Sequence, residues 1–134
     1  MEPMKLTRAS TYALHAVVYM AGQKKGQPIA SHLIARKKGI PERFLLKVLK
    51  PLVSARVLNS VKGPNGGYHL ARAPGDITLL DIIEAVDGPI SGQAPGGQQD
   101  GFLNRRLEHI CNQTAEQVRK QLSKIRVSEL STKD

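Results

Sequence analysis

Between Val57 and Leu70 the chain reads VLNSVKGPNGGYHL, two short β-prone runs on either side of a turn built from Gly, Pro and Asn. Such a segment closes as a tight β-hairpin, because Gly66 and Gly67 are able to take the positive φ that L side chains avoid. Lys62 falls at the hairpin tip, and Asn65 falls in the same turn. The segment interrupts a chain whose other patterns are helical, so the fold must be one in which a hairpin is appended to helices.

Upstream, Ala9, Tyr12, Ala13, Ala16, Val17 and Met20 recur at three- and four-residue steps, with Thr7 as an N-cap and Gly22 as a stop. QKKGQP then reads as a surface loop. A short second helix is expected from about Ser31, burying Leu33, Ile34 and Ala35 and ending at the run Arg36, Lys37, Lys38 and Gly39. The third starts at Pro41, where the missing N–H costs nothing in the first turn. Phe44, Leu45, Val48, Leu49 and Leu52 form its buried side, while Arg43, Lys47 and Lys50 form a basic stripe on another face. Pro51 predicts a kink or a loosened last turn, since an interior proline removes a helical hydrogen bond. After the hairpin, Thr78 and Asp81 mark the cap of a fourth helix, Ile77 is placed to staple against Ile82, and Gly88 closes it.

Residues 88–101 hold five of the 12 glycines and two prolines, which predicts a mobile connection. Beyond it Leu103, Leu107, Ile110, Thr114, Val118, Leu122 and Ile125 recur at helical steps over about two dozen residues. A helix of that length exceeds what so small a domain needs for its own core, so its stripe is expected to meet a second subunit. The predicted fold is mainly α with a small β-hairpin: a winged helix-turn-helix over residues 1–88, a Gly/Pro/Gln-rich connection over 89–101, and a dimerisation helix with its tail over 102–134.

The net charge of +9 is segregated. Residues 1–75 carry 13 Lys and Arg against Glu2 and Glu42, a net +11, while residues 76–134 carry 7 basic against 9 acidic residues, a net −2. A polyanion answers such a half, and nucleic acid gains affinity from it through counterion release. With two Phe, three Tyr and no Trp, stacking platforms for unpaired bases are scarce, which disfavours a single-strand binder. In a winged helix-turn-helix the third helix enters the major groove and flanking elements grip phosphates. Arg43 and Lys47 are therefore candidates for base edges, and Lys50, Arg36, Lys37, Lys38, Lys5 and Arg8 for phosphate. One cysteine excludes an internal disulfide and a four-cysteine metal site. The N-terminus, MEPMKLTRAS, lacks the apolar core of a signal peptide and no window is long enough to span a bilayer, so a cytoplasmic protein without membrane association is expected.

MKLTRASTYALHAVVYMA, IASHLIARKKGIPERFLLKVLKPLVSA, SVKGPNGGYHLARAP and ITLLDIIEAVDG together resemble the Rrf-two family of bacterial winged-helix regulators, over residues 4–88. The resemblance implies a homodimeric transcription factor, usually a repressor, that binds imperfect palindromic operators in double-stranded DNA. It implies that Arg43, Phe44, Leu46 and Lys47 lie on the recognition helix, that Lys62 on the wing enters the minor groove, and that the long C-terminal helix makes the dimer. Members with an iron-sulfur cluster supply three cysteines from the connection before that helix. Residues 88–104 contain neither cysteine nor histidine here, and Cys111 lies further on, beside Ile110. The expectation is therefore a regulator without a cofactor or metal, with Cys111 a small buried hydrophobe. Two departures bear on stability: Ala30 replaces the usual cap of the second helix, and Arg56 stands where a glycine usually ends the third.

An enzyme is not expected, since His15, His32, His69 and His109 are dispersed and no HExxH, GxSxG or phosphate loop is present. The alternative is a winged-helix module that binds RNA or a partner protein, under control of a protein or small-molecule effector that the sequence does not name.

Overall fold

The third helix is the most strongly sided element of the chain, and its apolar side decides how the others assemble. In the computed structural model, which describes residues 6–91 and 101–130, α1 spans Arg8–Ala21, α2 Ser31–Lys38 and α3 Glu42–Ser54. Leu45, Val48, Leu49 and Leu52 of α3 are buried against Ala13, Ala16, Val17 and Met20 of α1 and Ile34 of α2. Both stripes follow the i, i+3, i+4, i+7 spacing that brings residues to one side of a helix. Burial of each large aliphatic side chain contributes about 1.5–3 kcal/mol. Leu33, expected inside, is 45% exposed, because α2 is only 8 residues long and covers the core with Ile34 and Ala35 alone.

The turn between α2 and α3 is fixed by Gly39, whose φ of 66° is left-handed, and by buried Ile40. The Ile40 amide donates to Ala35 O at 3.0 Å and the Gly39 amide to Arg36 O, the two bonds that close a helix in a Schellman motif. Pro41 caps α3 rather than opening it. The helix runs through Pro51 to Ser54 and then closes with the Val57 amide on Leu52 O, with Arg56 at φ 62° in the position where glycine is comfortable. The Arg56 carbonyl accepts from Arg72 Nε at 3.1 Å.

The hairpin pairs β1 (Leu58–Val61) with β2 (Gly67–Leu70), antiparallel, with Leu58 opposite Leu70 and Val61 opposite Gly67. Pro64 and Asn65 occupy the middle of the turn, closed by the Gly66 amide on Gly63 O at 3.0 Å. Gly66, expected to take a positive φ, does not; Gly63 and Gly67 do. Gly67 is irreplaceable for a second reason. Ile29 and Tyr68 exchange two backbone hydrogen bonds of 2.9 Å, which lash the hairpin to the loop before α2, and a Cβ on Gly67 would lie 2.3 Å from the Ile29 carbonyl.

After a 3₁₀ turn (Pro74–Asp76), α4 spans Leu79–Asp87. Its capping box is complete, with the Asp81 amide on Thr78 Oγ1 and the Thr78 amide on Asp81 Oδ2, and both Ile77 and Ile82 are buried. Asp87 at the other end accepts from the hydroxyls of Thr7 and buried Ser10, so the last turn of α4 is tied to the first turn of α1.

Helix α5 spans Gly101–Leu122 and α6 spans Val127–Leu130. The expected stripe does not run to its end as an outward face. Leu122 is buried in its own domain, and Ile125 lies beyond the helix with its carbonyl accepting from the Leu79 amide at 2.8 Å. The Val127 amide donates to Ile77 O at 2.8 Å and its side chain enters the core, so this part of the chain folds back on the domain that precedes it. Periodicity reports which residues share a face, and it does not report where that face changes partner. Phe102, Leu103, Leu107 and Ile110 remain 40–65% exposed, Thr114 is exposed and Val118 half-buried. Cys111, expected buried, is half-buried on the same helix.

The lashing of the hairpin sets a measurable expectation. Gly67→Ala should lower stability by about 2 kcal/mol or more, from backbone strain at a positive φ and collision with Ile29. Gly22→Ala, at φ −86° with only ordinary contacts, should change it by less than about 0.5 kcal/mol. Urea unfolding of the two variants gives the comparison, and equal effects would remove the role assigned to the Ile29 contact.

Candidate nucleic-acid interface

The buried stripe of α3 leaves the opposite side of the helix in solvent. Arg43, Leu46, Lys47 and Lys50 are exposed there, at i, i+3, i+4 and i+7, a spacing that places all four on one face. Phe44 is half-buried beside that face rather than fully inside. Its ring carries two of the cations: the Arg43 guanidinium carbon lies 4.8 Å from the centroid and Lys47 Nζ 5.9 Å. Contacts of this length are worth about 0.5–1 kcal/mol at exposed sites and hold long side chains in a narrower range of rotamers. Lys50 lies one turn on, at the edge of a shallow hollow shared with Ser54 and with Ala85 of α4.

The run Arg36, Lys37 and Lys38 is exposed in the last turn of α2, where cations also favour the carbonyl end of the helix. Lys38 Nζ sits 5.5 Å above the Tyr19 ring of α1. Arg36 and Lys37 line a groove of about 530 Å³ with Tyr19, Lys24, Gln27 and Leu33. Lys24 and Tyr19 were not legible as site residues; the paired lysines of the QKKGQP loop were the one available signal. Arg8 is exposed at the start of α1, where a cation opposes the helix dipole. Lys62 and Asn65 are exposed on the hairpin tip. Lys5 lies outside the described residues.

Charge is partitioned as the sequence arithmetic anticipates. Asp81 accepts from Arg72, Glu84 from Arg119 and from the Ile90 amide, and Asp87 from Thr7 and Ser10. Glu42, the one acid on α3, accepts from Ser31 Oγ at 2.8 Å, and the Ala30 cap of α2 makes no side-chain hydrogen bond. Among the described residues, Arg8, Arg36, Lys37, Lys38, Arg43, Lys47, Lys50 and Lys62 form no ion pair with a carboxylate. Eight cations left unneutralised on α1, α2, α3 and the hairpin form a surface suited to a polyanion.

Among the described residues no group of three His, Cys, Asp or Glu side chains is placed to hold a metal ion, and no helix is long and apolar enough to cross a membrane. Cys111 is the single thiol of the chain.

A family model described as Rrf2, iron-dependent transcriptional regulator, matches residues 6–133. A helix-turn-helix transcriptional regulator of Mycobacterium tuberculosis is 33% identical over 66% of this chain and 55% of its own length. BadM, a helix-turn-helix regulator of Rhodopseudomonas palustris, is 33% identical over 96% of this chain and 81% of its own length. The chain spans about half the length of the first of these relatives. The crystal structure of CymR, the global cysteine regulator of Bacillus subtilis, superposes with a TM-score of 0.75 at 26% identity, covering 96% of this chain and 97% of that one. The architecture is thus a winged helix-turn-helix, in which β1 and β2 are the wing. The donor set does not fit the cluster that three thiolates would hold, since one cysteine is present. With its helix-turn-helix, its wing and a family match across nearly its whole length, the chain belongs to the Rrf2 family of transcriptional regulators.

Proposed function

We propose that the protein is a sequence-specific regulator that binds double-stranded DNA as a homodimer in the cytoplasm, recognises a palindromic operator and represses transcription without an iron-sulfur cluster. The observation that carries this reading is the solvent face of α3, where Arg43, Lys47 and Lys50 stand without carboxylate partners among the described residues, beside the apolar Leu46. An α-helix fits the major groove of B-DNA, and Arg is able to pair bidentately with guanine there while Lys donates to the same edge. Lys62 and Asn65 on the wing take the minor groove, and Arg8, Arg36, Lys37, Lys38 and Lys5 take phosphates. Two subunits meet along α5 through Leu103, Leu107, Ile110, Thr114 and Val118, to which Phe102 adds exposed apolar surface. The recognition helices then lie about one helical turn of DNA apart, roughly 34 Å.

DNA selected by the protein from a random pool tests the reading. At fixed salt the selected duplex should bind at least about 10³ more tightly than random duplex or hairpin RNA. Arg43→Ala or Lys47→Ala should shrink that gap by about 1–3 kcal/mol per lost base contact, while Lys50→Ala should weaken selected and random duplex alike. Equal weakening by Arg43→Ala would assign Arg43 to phosphate, and preference for hairpin RNA would favour the RNA-binding alternative.

Sedimentation equilibrium at micromolar concentration should return a dimer, and Leu107→Asp with Ile110→Asp should return a monomer whose helical content is unchanged. A monomeric wild type would remove the interface. Treatment of the purified protein with iron and sulfide under anaerobic conditions should leave it colourless, without charge-transfer absorbance in the visible; a brown, iron-loaded dimer would contradict the cluster-free reading.

A further inference from the structure

Exposed leucines are ordinary on protein surfaces, so exposure alone says nothing about Leu46. Its neighbours do. Among the described residues of α3, Leu46 is the exposed large hydrophobe, at 43%. Arg43 and Lys47 both lean over the Phe44 ring, on the side of the helix face opposite Leu46. The solvent face of α3 thus offers two kinds of contact, the cations Arg43, Lys47 and Lys50 and, beside Lys50, the apolar side chain of Leu46. Guanine answers the first with two acceptors, O6 and N7. The single apolar group that base pairs present in the major groove is the C5-methyl of thymine, which answers the second.

Building on the assignment of α3 to the major groove, we propose that Leu46 is a base-reading residue that takes the methyl group of one thymine in each operator half-site. Three residues separate Leu46 from Arg43, an advance of about 4.5 Å along the helix. Base pairs are stacked about 3.4 Å apart, so the thymine lies one or two steps from the base pair that Arg43 meets. The position would discriminate thymine from cytosine, whose C5 carries hydrogen alone. It would do so without a hydrogen bond, which separates its signature from that of Arg43.

Deoxyuridine provides the test, because it differs from thymidine by that methyl alone. The probe is the duplex selected by the wild-type protein, with each half-site thymine replaced in turn by deoxyuridine. One symmetrical position should cost wild-type binding about fourfold per half-site, the value of burying a methyl. Leu46→Ala should bind the thymidine and deoxyuridine duplexes equally, while Leu46→Met should retain the preference. Because Leu46 is exposed, both variants should melt as the wild type does. Wild-type affinity unchanged by every substitution would overturn the proposal while leaving the DNA reading in place, as would undiminished methyl sensitivity in Leu46→Ala. A wild type that selects no duplex at all would overturn the DNA reading itself, and the role of Leu46 with it.

Discussion

The orientation of α3 rests on one packing interaction, the burial of Leu45, Val48, Leu49 and Leu52 against the alanine-lined side of α1. Ala13 and Ala16 are completely buried and keep this side of α1 free of bulky groups. Turning α3 about its axis would bring Arg43 or Lys47 into that interface. Desolvating an unpaired cation costs several kcal/mol, so the helix has one acceptable rotation. Its exposed face is therefore the complement of its core face, and the proposed recognition surface follows from apolar packing on the other side of the same helix. Gly39 and Ile40 then set the angle at which α3 leaves α2.

A second constraint is electrostatic. The carboxylates of α4 are engaged in structural work: Asp81 in the capping box, Glu84 with Arg119, and Asp87 with Thr7 and Ser10. Each of these bonds joins elements distant in sequence or completes a helix end, and none reaches the cationic side of α2, α3 or the wing. Arg72 and Arg119 offset the charge of Asp81 and Glu84, and hydroxyl groups hold the Asp87 carboxylate at the junction of α4 and α1. The surface cations have little to gain from pairing, since exposed ion pairs contribute about 1 kcal/mol or less. Leaving them unpaired sacrifices little stability and keeps their charge available to a ligand.

Local signals made much of this legible. Thr7, Thr78, Asp81 and Gly88 act at helix ends through bonds that span a few residues, so their capping roles are written in short sequence windows. Arg56 in the left-handed region is of the same kind, a strained site recognisable because a glycine was expected there. What depended on tertiary pairing was not legible. The exposure of Leu33 reflects the shortness of α2, and the groove joining Tyr19, Lys24 and Arg36 exists because α1 and α2 are packed side by side. Half of the role of Gly67 is legible: its positive φ is readable from the turn, whereas its contact with Ile29 brings together residues far apart in the chain.

The return of the chain after Leu122 has the largest consequence for how a regulator of this shape would work. Residues 125–127 pair with residues 77–79 through backbone hydrogen bonds, Arg126 Nη1 donates to the Gly75 carbonyl at 2.6 Å, and Arg119 bonds Glu84 of α4. The C-terminal third of α5 is consequently fastened to the same α4 that is tied through Asp87 to the start of α1. In the proposed dimer, α5 therefore relays position from the partner subunit to α1, and through the packed core to α3. The separation of the two recognition helices is then governed by this fastened end of α5. A signal that changes DNA affinity has to work against those bonds or against the angle between the two α5 helices.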